Sequence, residues 1–401
     1  MKEQRRIYLN HAATSAVKAL RVTGGLIAYL EENRHVSGGR NFGDLGDGAL
    51  IHRARRTLAE FFGAPSAASV VFTSGVTLSL NMILGGLLKP GDHVLATHVE
   101  HNAVARPLWR LRQQGRIEAD FLPNAPDGSL DPALITRHVR PRTRLLVMTG
   151  ASNVLGTLQP WEACFAEAKK HGLFTLLDAA QTAGCVPLAF NEHTDALAFT
   201  GHKGLGGLAG TGGFILSKAA AALVEPWLCG GTGSASDSLD QPCFLPDKFE
   251  SGTANVLGIL SLALGVEEIQ EQGIRNIRQR EQELTRRFMA GARSIAGLTV
   301  YGPEKAEQSA PLVLVNAPRD SPWFDNAVLA QKLYDDYGII TRCGLHCSPL
   351  AHQCAGTFPQ GALRFSFGSE TTAEEIDTAL TALEETIVPG KRQTTGYQGK
   401  Q

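Results

Sequence analysis

From residue 70 onward two kinds of apolar spacing alternate. Short runs rich in Val, Leu, Ile, Phe and Ala at 70–73, 93–97, 119–122, 144–149, 173–178, 196–200 and 213–216 read as strands. Between them, at 77–88, 102–114, 131–138, 161–171 and 218–225, apolar positions recur at helical spacing. Upstream, 17–34 and 50–62 read as helices, the second stopped by Gly63, with a flexible glycine-containing loop at 37–43 between them. Tyr8-Leu-Asn-His-Ala-Ala-Thr14 reads as a short extended arm. Strand–helix alternation of this length predicts an α/β domain whose mostly parallel, seven-stranded sheet is covered on both faces.

After Val256 the texture changes. Residues 257–294 form one or two long helical patterns rich in Glu, Gln and Arg. Shorter strands follow at 298–301, 312–316, 338–342 and 363–367, with helices at 326–336 and 372–388. This predicts a smaller α+β domain. The expected division is 15–257 for the large domain, 1–14 with 258–390 for the small one, and a frayed polar tail at 391–401. The boundary falls near 255–260.

Bulk properties narrow the function. The chain has 401 residues, enough for two domains and a large core. Its net charge of −1 favours neither nucleic acid nor an anionic membrane as partner. No apolar run reaches the ~18 residues of a membrane span. The charged start, Met1-Lys-Glu-Gln-Arg-Arg, lacks the apolar segment of a secretory signal, so a cytoplasmic protein is expected. Seven cysteines, an odd number, argue against a disulfide framework. Cys343, Cys347 and Cys354 are spaced C-x3-C-x6-C, which is not a usual zinc spacing, and no metal is expected.

Chemistry concentrates where strands end, which is where sites form in open α/β sheets. Lys203 lies in Phe-Thr200-Gly-His202-Lys203-Gly-Leu-Gly-Gly, a tight glycine-rich exit from the strand at 196–200. A lysine held inward and desolvated there becomes a nucleophilic, imine-forming amine; taken alone, the reading as a solvated surface lysine wins, and the residues around it reverse that. Asp178 ends a wholly apolar strand, and a buried carboxylate needs a cationic or strong-donor partner; helix capping is the rival role. Ser74-Gly75-Val76-Thr77 opens a helix whose amides and Thr77 hydroxyl suit a phosphate, or is simply a capped start. His101, in Glu-His-Asn, can stack on a flat ring or move protons. Asn153 offers a donor to a phenolate-type oxygen, or forms an Asx turn. Gly204-Leu-Gly206-Gly-Leu-Ala209 matches a loose dinucleotide pattern, but it runs into a strand and not a helix, so a nicotinamide site is excluded. The lysine, the aspartate and the helix start together fit pyridoxal 5′-phosphate.

These residues closely resemble the class V aminotransferase group of fold-type I pyridoxal-phosphate enzymes, in particular the cysteine desulfurase and selenocysteine lyase family. The resemblance runs from Tyr8-Leu-Asn-His-Ala-Ala to the C-terminal domain. It implies that Lys203 is the cofactor lysine, and that Thr200, His202 and Gly75-Val76-Thr77 hold the phosphate. His101 matches the histidine that stacks on the cofactor ring, Asp178 and Gln181 the partners of its nitrogen and phenolate oxygen, and Asn153 a cofactor- or substrate-side asparagine. Ser251-Gly252-Thr253 matches a segment that reaches the phosphate from the other subunit, which implies a homodimer with shared sites. Arg364, in Ala-Leu-Arg-Phe-Ser, matches the arginine that binds the substrate carboxylate.

Arg342-Cys-Gly-Leu-His346-Cys347-Ser resembles the loop of desulfurases whose catalytic cysteine follows a histidine. Leu345 stands where those enzymes usually carry a second histidine, and Ser348 where they usually carry alanine. The implied reaction converts L-cysteine to L-alanine and leaves a persulfide on Cys347, for delivery to a sulfur-acceptor protein. Selenocysteine lyase, or another C–S lyase or aminotransferase of the same class, is the alternative enzyme. A scaffold that binds cofactor without turnover is the non-enzymatic one.

Overall fold

The computed structural model describes residues 6–32 and 45–388. The loop expected at 37–43 and the tail from 389 lie outside them. Among the described residues no helix is long and apolar enough to cross a membrane.

Seven strands build the large sheet: β1 (Val70–Thr73), β2 (Asp92–Thr97), β3 (Ile117–Leu122), β4 (Thr143–Thr149), β5 (Phe174–Asp178), β6 (Ala196–Thr200) and β7 (Gly212–Leu216). Their spatial order is β1-β7-β6-β5-β4-β2-β3. The pairings from β3 through β6 are parallel, and β7 runs antiparallel to both of its neighbours. The mostly parallel sheet read from the sequence is therefore present, with each strand within a residue or two of its expected place.

The strands are apolar along their whole length because both faces are buried. Leu95, Leu146, Met148, Leu197 and Phe199 face one core, with Phe62 and Phe165 from covering helices. Their sequence neighbours Val94, Leu145, Val147, Ala196 and Ala198 face the other, against Leu80, Ile83 and Leu108. A side-chain period of two sends alternate residues to opposite layers.

The small domain holds a four-stranded antiparallel sheet: β8 (Thr299–Tyr301), β9 (Leu312–Asn316), β10 (Arg342–Gly344) and β11 (Ala362–Ser366), in the order β10-β11-β9-β8. The strand expected at 338–342 is two pieces. Ile339–Ile340 pairs in parallel with Ile7–Tyr8 of the N-terminal arm, and the chain then enters the four-stranded sheet at Arg342. Phe288, Leu333, Phe365 and Leu383 form this domain's core, joined by Ile7 and Leu9.

The long helical stretch divides at Gly273 (φ +80°) into Val256–Gln272 and Ile274–Ser294. Leu262, Val266, Ile269 and Ile277 belong to the large core, and Leu284 and Phe288 to the small one. Along the second helix the buried side chains pass from one core to the other between Ile277 and Leu284.

Candidate active site

β5 delivers Asp178 to the carboxyl edge of the sheet, in register with Thr149 of β4 and Ala198 of β6. The carboxylate is buried and accepts from the Ala180 N–H at 2.9 Å. Burial raises its pKa, opposed by that N–H and by the Lys203 charge. A turn follows Asp178 where the rival reading put a helix, so it caps none.

β6 ends at Thr200, and Lys203 follows within a closed glycine turn: Gly206 N–H donates to the Lys203 carbonyl at 2.9 Å and Gly207 N–H to that of Gly201 at 2.8 Å. Burial pushes the Lys203 amine down to about 8, Asp178 partly reverses the shift, and Arg364 and Arg342 add to it. A substantial free-amine fraction near neutral pH is what imine chemistry requires.

Helix Val76–Leu87 opens on Gly75, whose φ of +149° favours glycine, and no side chain caps it. Ser74 and Thr77 therefore leave its first amides open to an anion. The N-terminal arm holds the lysine turn in place: Ser15 N–H and Thr14 Oγ1 donate to the His202 carbonyl at 2.8 and 3.1 Å. Gln181 Nε2 donates to the arm at the Ala12 carbonyl, 3.1 Å away.

His101 starts the next helix, and its Nδ1 accepts from Ala103 N–H at 3.0 Å. Burial, then the nearby Lys203 charge, pushes its pKa down to about 4. The ring is neutral at pH 7, with its hydrogen on Nε2.

Arg364 comes from β11 and is 1% exposed. One guanidinium nitrogen donates to the Asn153 carbonyl at 2.7 Å, another to Asn10 Oδ1 at 3.3 Å, and Nε has no partner. Asn153 lines the pocket and also bonds to the cysteine loop. Its amide nitrogen donates to the His346 carbonyl and its oxygen accepts from Ser348 Oγ, both at 2.7 Å. Its side chain therefore anchors the loop that carries Cys347, and only its backbone carbonyl serves Arg364.

Cys347 is exposed. Its carbonyl accepts from Asn102 N–H at 2.8 Å, and its Sγ lies 3.8 Å from an Arg342 guanidinium nitrogen.

One pocket of about 340 Å³ gathers the expected residues. Asp178, Lys203, Gln181, His101 and Asn153 line it from the large domain with Gly75, Val76 and Thr77 of the helix start and Thr200 and His202 of the β6 end; Arg364 and Cys347 come from the small domain. Thr253 is not among them. It lines a neighbouring pocket that shares Ser74, Leu78 and Gly210 with this one.

Two contributors had no assigned role in the sequence. Arg342 opens the cysteine loop motif and reaches the sulfur. Glu100, beside His101, is fully buried: Oε1 accepts from Thr97 Oγ1 at 2.6 Å and Thr149 N–H at 2.9 Å, and Oε2 has no partner. Its place next to His101 was the available signal; its burial was not legible.

The family model described as Aminotransferase class-V matches residues 7–379. A protein of Pectobacterium atrosepticum named cysteine desulfurase is 32% identical over 344 residues, 84% of this chain and 82% of its own length. One of Methanothermobacter thermautotrophicus named probable cysteine desulfurase is 31% identical, covering 94% of each chain. The apo structure of a cysteine desulfurase from Thermococcus onnurineus superposes with TM-score 0.87 at 29% identity, over 95% of this chain and 94% of that one.

Proposed function

The chain belongs to the class V aminotransferase family, and on that premise we propose that it is a pyridoxal-phosphate-dependent cysteine desulfurase, converting L-cysteine to L-alanine with transfer of sulfur to Cys347. The observation that carries this reading is the placement of an exposed cysteine over the same pocket as a desolvated lysine, a buried aspartate and a buried arginine.

The residues present fit the cofactor. Asp178 is a buried carboxylate lacking a strong cationic bond, Lys203 is a desolvated amine beside it, and the uncapped helix start is an anion cradle. When bound, pyridoxal phosphate supplies an electron-withdrawing ring that stabilises negative charge at the substrate α-carbon. Asp178 is then the partner of the ring nitrogen, His101 the neutral surface for the ring, and Gln181 the donor at the phenolate oxygen. Gly75, Val76, Thr77, Thr200 and His202 hold the phosphate.

Arg364 binds the substrate carboxylate, for which its unpartnered Nε and fork geometry suit it. The Lys203 amine would carry the substrate α-proton. Cys347, as thiolate, forms the new S–S bond as the substrate C–S bond breaks. The C–S electron pair stays with carbon, which takes up protons to become alanine. L-Cysteine and one thiol thus give alanine and one persulfide, with no external oxidant. The Arg342 guanidinium lies 3.8 Å from Sγ, within reach of the sulfur.

Thr253 lies outside its own chain's pocket, which supports its completing the site of a second subunit in a homodimer. A sulfur-acceptor protein follows from the persulfide's exposure. All seven cysteines are free, in keeping with a reducing, cytoplasmic setting.

The test is alanine formation from L-cysteine by Cys347→Ala, with a search by mass spectrometry for one added sulfur on Cys347 in the unaltered protein. Alanine formation is expected to fall on the order of a hundredfold. Full turnover removes Cys347 from the reaction and leaves selenocysteine lyase as the better description.

A further inference from the structure

The loop that presents Cys347 adopts a backbone that side chains other than glycine rarely take. His346 has φ +51° and Cys347 φ +59°, two consecutive residues in the left-handed region. Such a pair persists only where its surroundings hold it. Three backbone anchors are in place: Asn153 Nδ2 to the His346 carbonyl, Asn102 N–H to the Cys347 carbonyl, and Ser348 N–H to the Leu345 carbonyl. A fourth acts through side chains and starts at His352, a buried residue on the short helix Pro349–Cys354 that follows.

The two imidazoles form a chain whose direction is settled by its far end. His346 Nε2 lies 3.1 Å from the Arg342 carbonyl, which can only accept, so Nε2 carries the hydrogen. Both rings are buried and neutral. His346 Nδ1 is therefore an acceptor, and His352 Nε2, 3.1 Å away, must donate to it. That leaves His352 Nδ1 as an acceptor, matched by the Thr357 hydroxyl at 2.7 Å. The order is Thr357 O–H to His352, His352 Nε2–H to His346, and His346 Nε2–H back to Arg342.

The chain closes a ring of contacts from Arg342 to His346, across the turn that bears the sulfur. We propose that His352 is a positioning residue for Cys347: by donating to His346 Nδ1 it fixes that ring's tautomer and holds the left-handed His346–Cys347 turn. Leu345 cannot form such a bond, so the clamp on His346 comes from the helix behind the loop. The role in sulfur transfer rests on the desulfurase reading; the clamp itself does not.

Hydrogen exchange on the full-length holoprotein separates the two. In His352→Leu, the amides of Asn102 and Ser348, which close on the Cys347 loop, should exchange about tenfold faster, the loss of one buried hydrogen bond. His352→Gln keeps a donor and should restore slow exchange. The melting temperature of the large domain should be unchanged in both. In the same samples alanine formation should fall in His352→Leu and recover in His352→Gln. Unchanged exchange at Asn102 and Ser348 in His352→Leu, or ¹⁵N spectra of labelled histidine showing His346 protonated on Nδ1, overturns the proposal. Faster exchange with no alanine formed by any variant, or by the unaltered protein, upholds the clamp and rejects the desulfurase reading.

Discussion

Arg364 and Arg342 stand directly opposite each other on the antiparallel strands β11 and β10. Two like charges in that register repel, and Arg364 is almost wholly buried. Burial, then Arg342, disfavours its charge, yet a guanidinium stays protonated in proteins. The pair is a standing demand for an anion, which a substrate carboxylate would meet. Arg364→Lys keeps the charge and loses the fork. It should raise the KM for L-cysteine tenfold to a hundredfold, about 1.5–3 kcal/mol, with a smaller change in kcat; steady-state kinetics of alanine formation would show it.

The Lys203 amine, lowered to about 8 chiefly by burial, sets a pH dependence. The neutral amine is the nucleophile, so the free fraction grows as pH rises toward 8 and saturates above it. Adding pyridoxal phosphate to apoprotein should give an imine band whose rate of appearance levels off above about pH 8.5. A lysine at its usual value would show a rate still climbing there.

Glu100 should make the fold less stable as pH rises. Burial pushes its carboxyl up to about 8 from an ordinary 4.5. Between those values the folded chain holds a proton that the unfolded chain has released. The stabilisation is therefore complete below about pH 4.5 and is lost as pH passes 8. Glu100→Gln keeps the oxygen that accepts from Thr97 and Thr149, and should remove this component. Thermal melts from about pH 6 to 9 would then fall less steeply for the variant than for the unaltered chain.

Gly184 packs against the turn that follows Lys203. It has φ +85°, and a Cβ there would lie 2.3 Å from the Gly204 carbonyl carbon and 2.4 Å from its oxygen. Gly184→Ala must shift the backbone next to the lysine. It should cost about 2 kcal/mol or more and lower the fraction of cofactor retained after gel filtration, read from the protein's visible absorbance.

Phe288 joins the second long helix to the small sheet, its ring 4.7 Å from that of Phe365 and 5.4 Å from that of Phe367. Phe288→Ala should destabilise the small domain by about 3–5 kcal/mol. Hydrogen exchange should report it in β9 and β11 and leave β4 to β6 protected.

Much of this was legible because it is local. Apolar runs at 144–149, 173–178 and 196–200 declare strands buried on both faces, and strand ends in such sheets carry sites, so Asp178 and Lys203 are legible in the sequence itself. The stretch 257–294, by contrast, reads equally as one helix or two; packing divides it at Gly273 and carries its apolar stripe into the large core as far as Ile277. Asn153 was recognisable as a site residue, but not as the anchor of a loop almost two hundred positions away, because hydrogen bonds between distant segments leave no periodicity.

The sequence by itself determined the layered architecture and the residues available for chemistry, since both follow from side-chain period and from residue types at turns. Tertiary structure alone decided which charges lose their water. Burial lowers Lys203, raises Glu100, sets Arg364 against Arg342 and orders the His346–His352 chain. Desolvation depends on what the whole fold stacks around a group, and no stretch of chain carries that information.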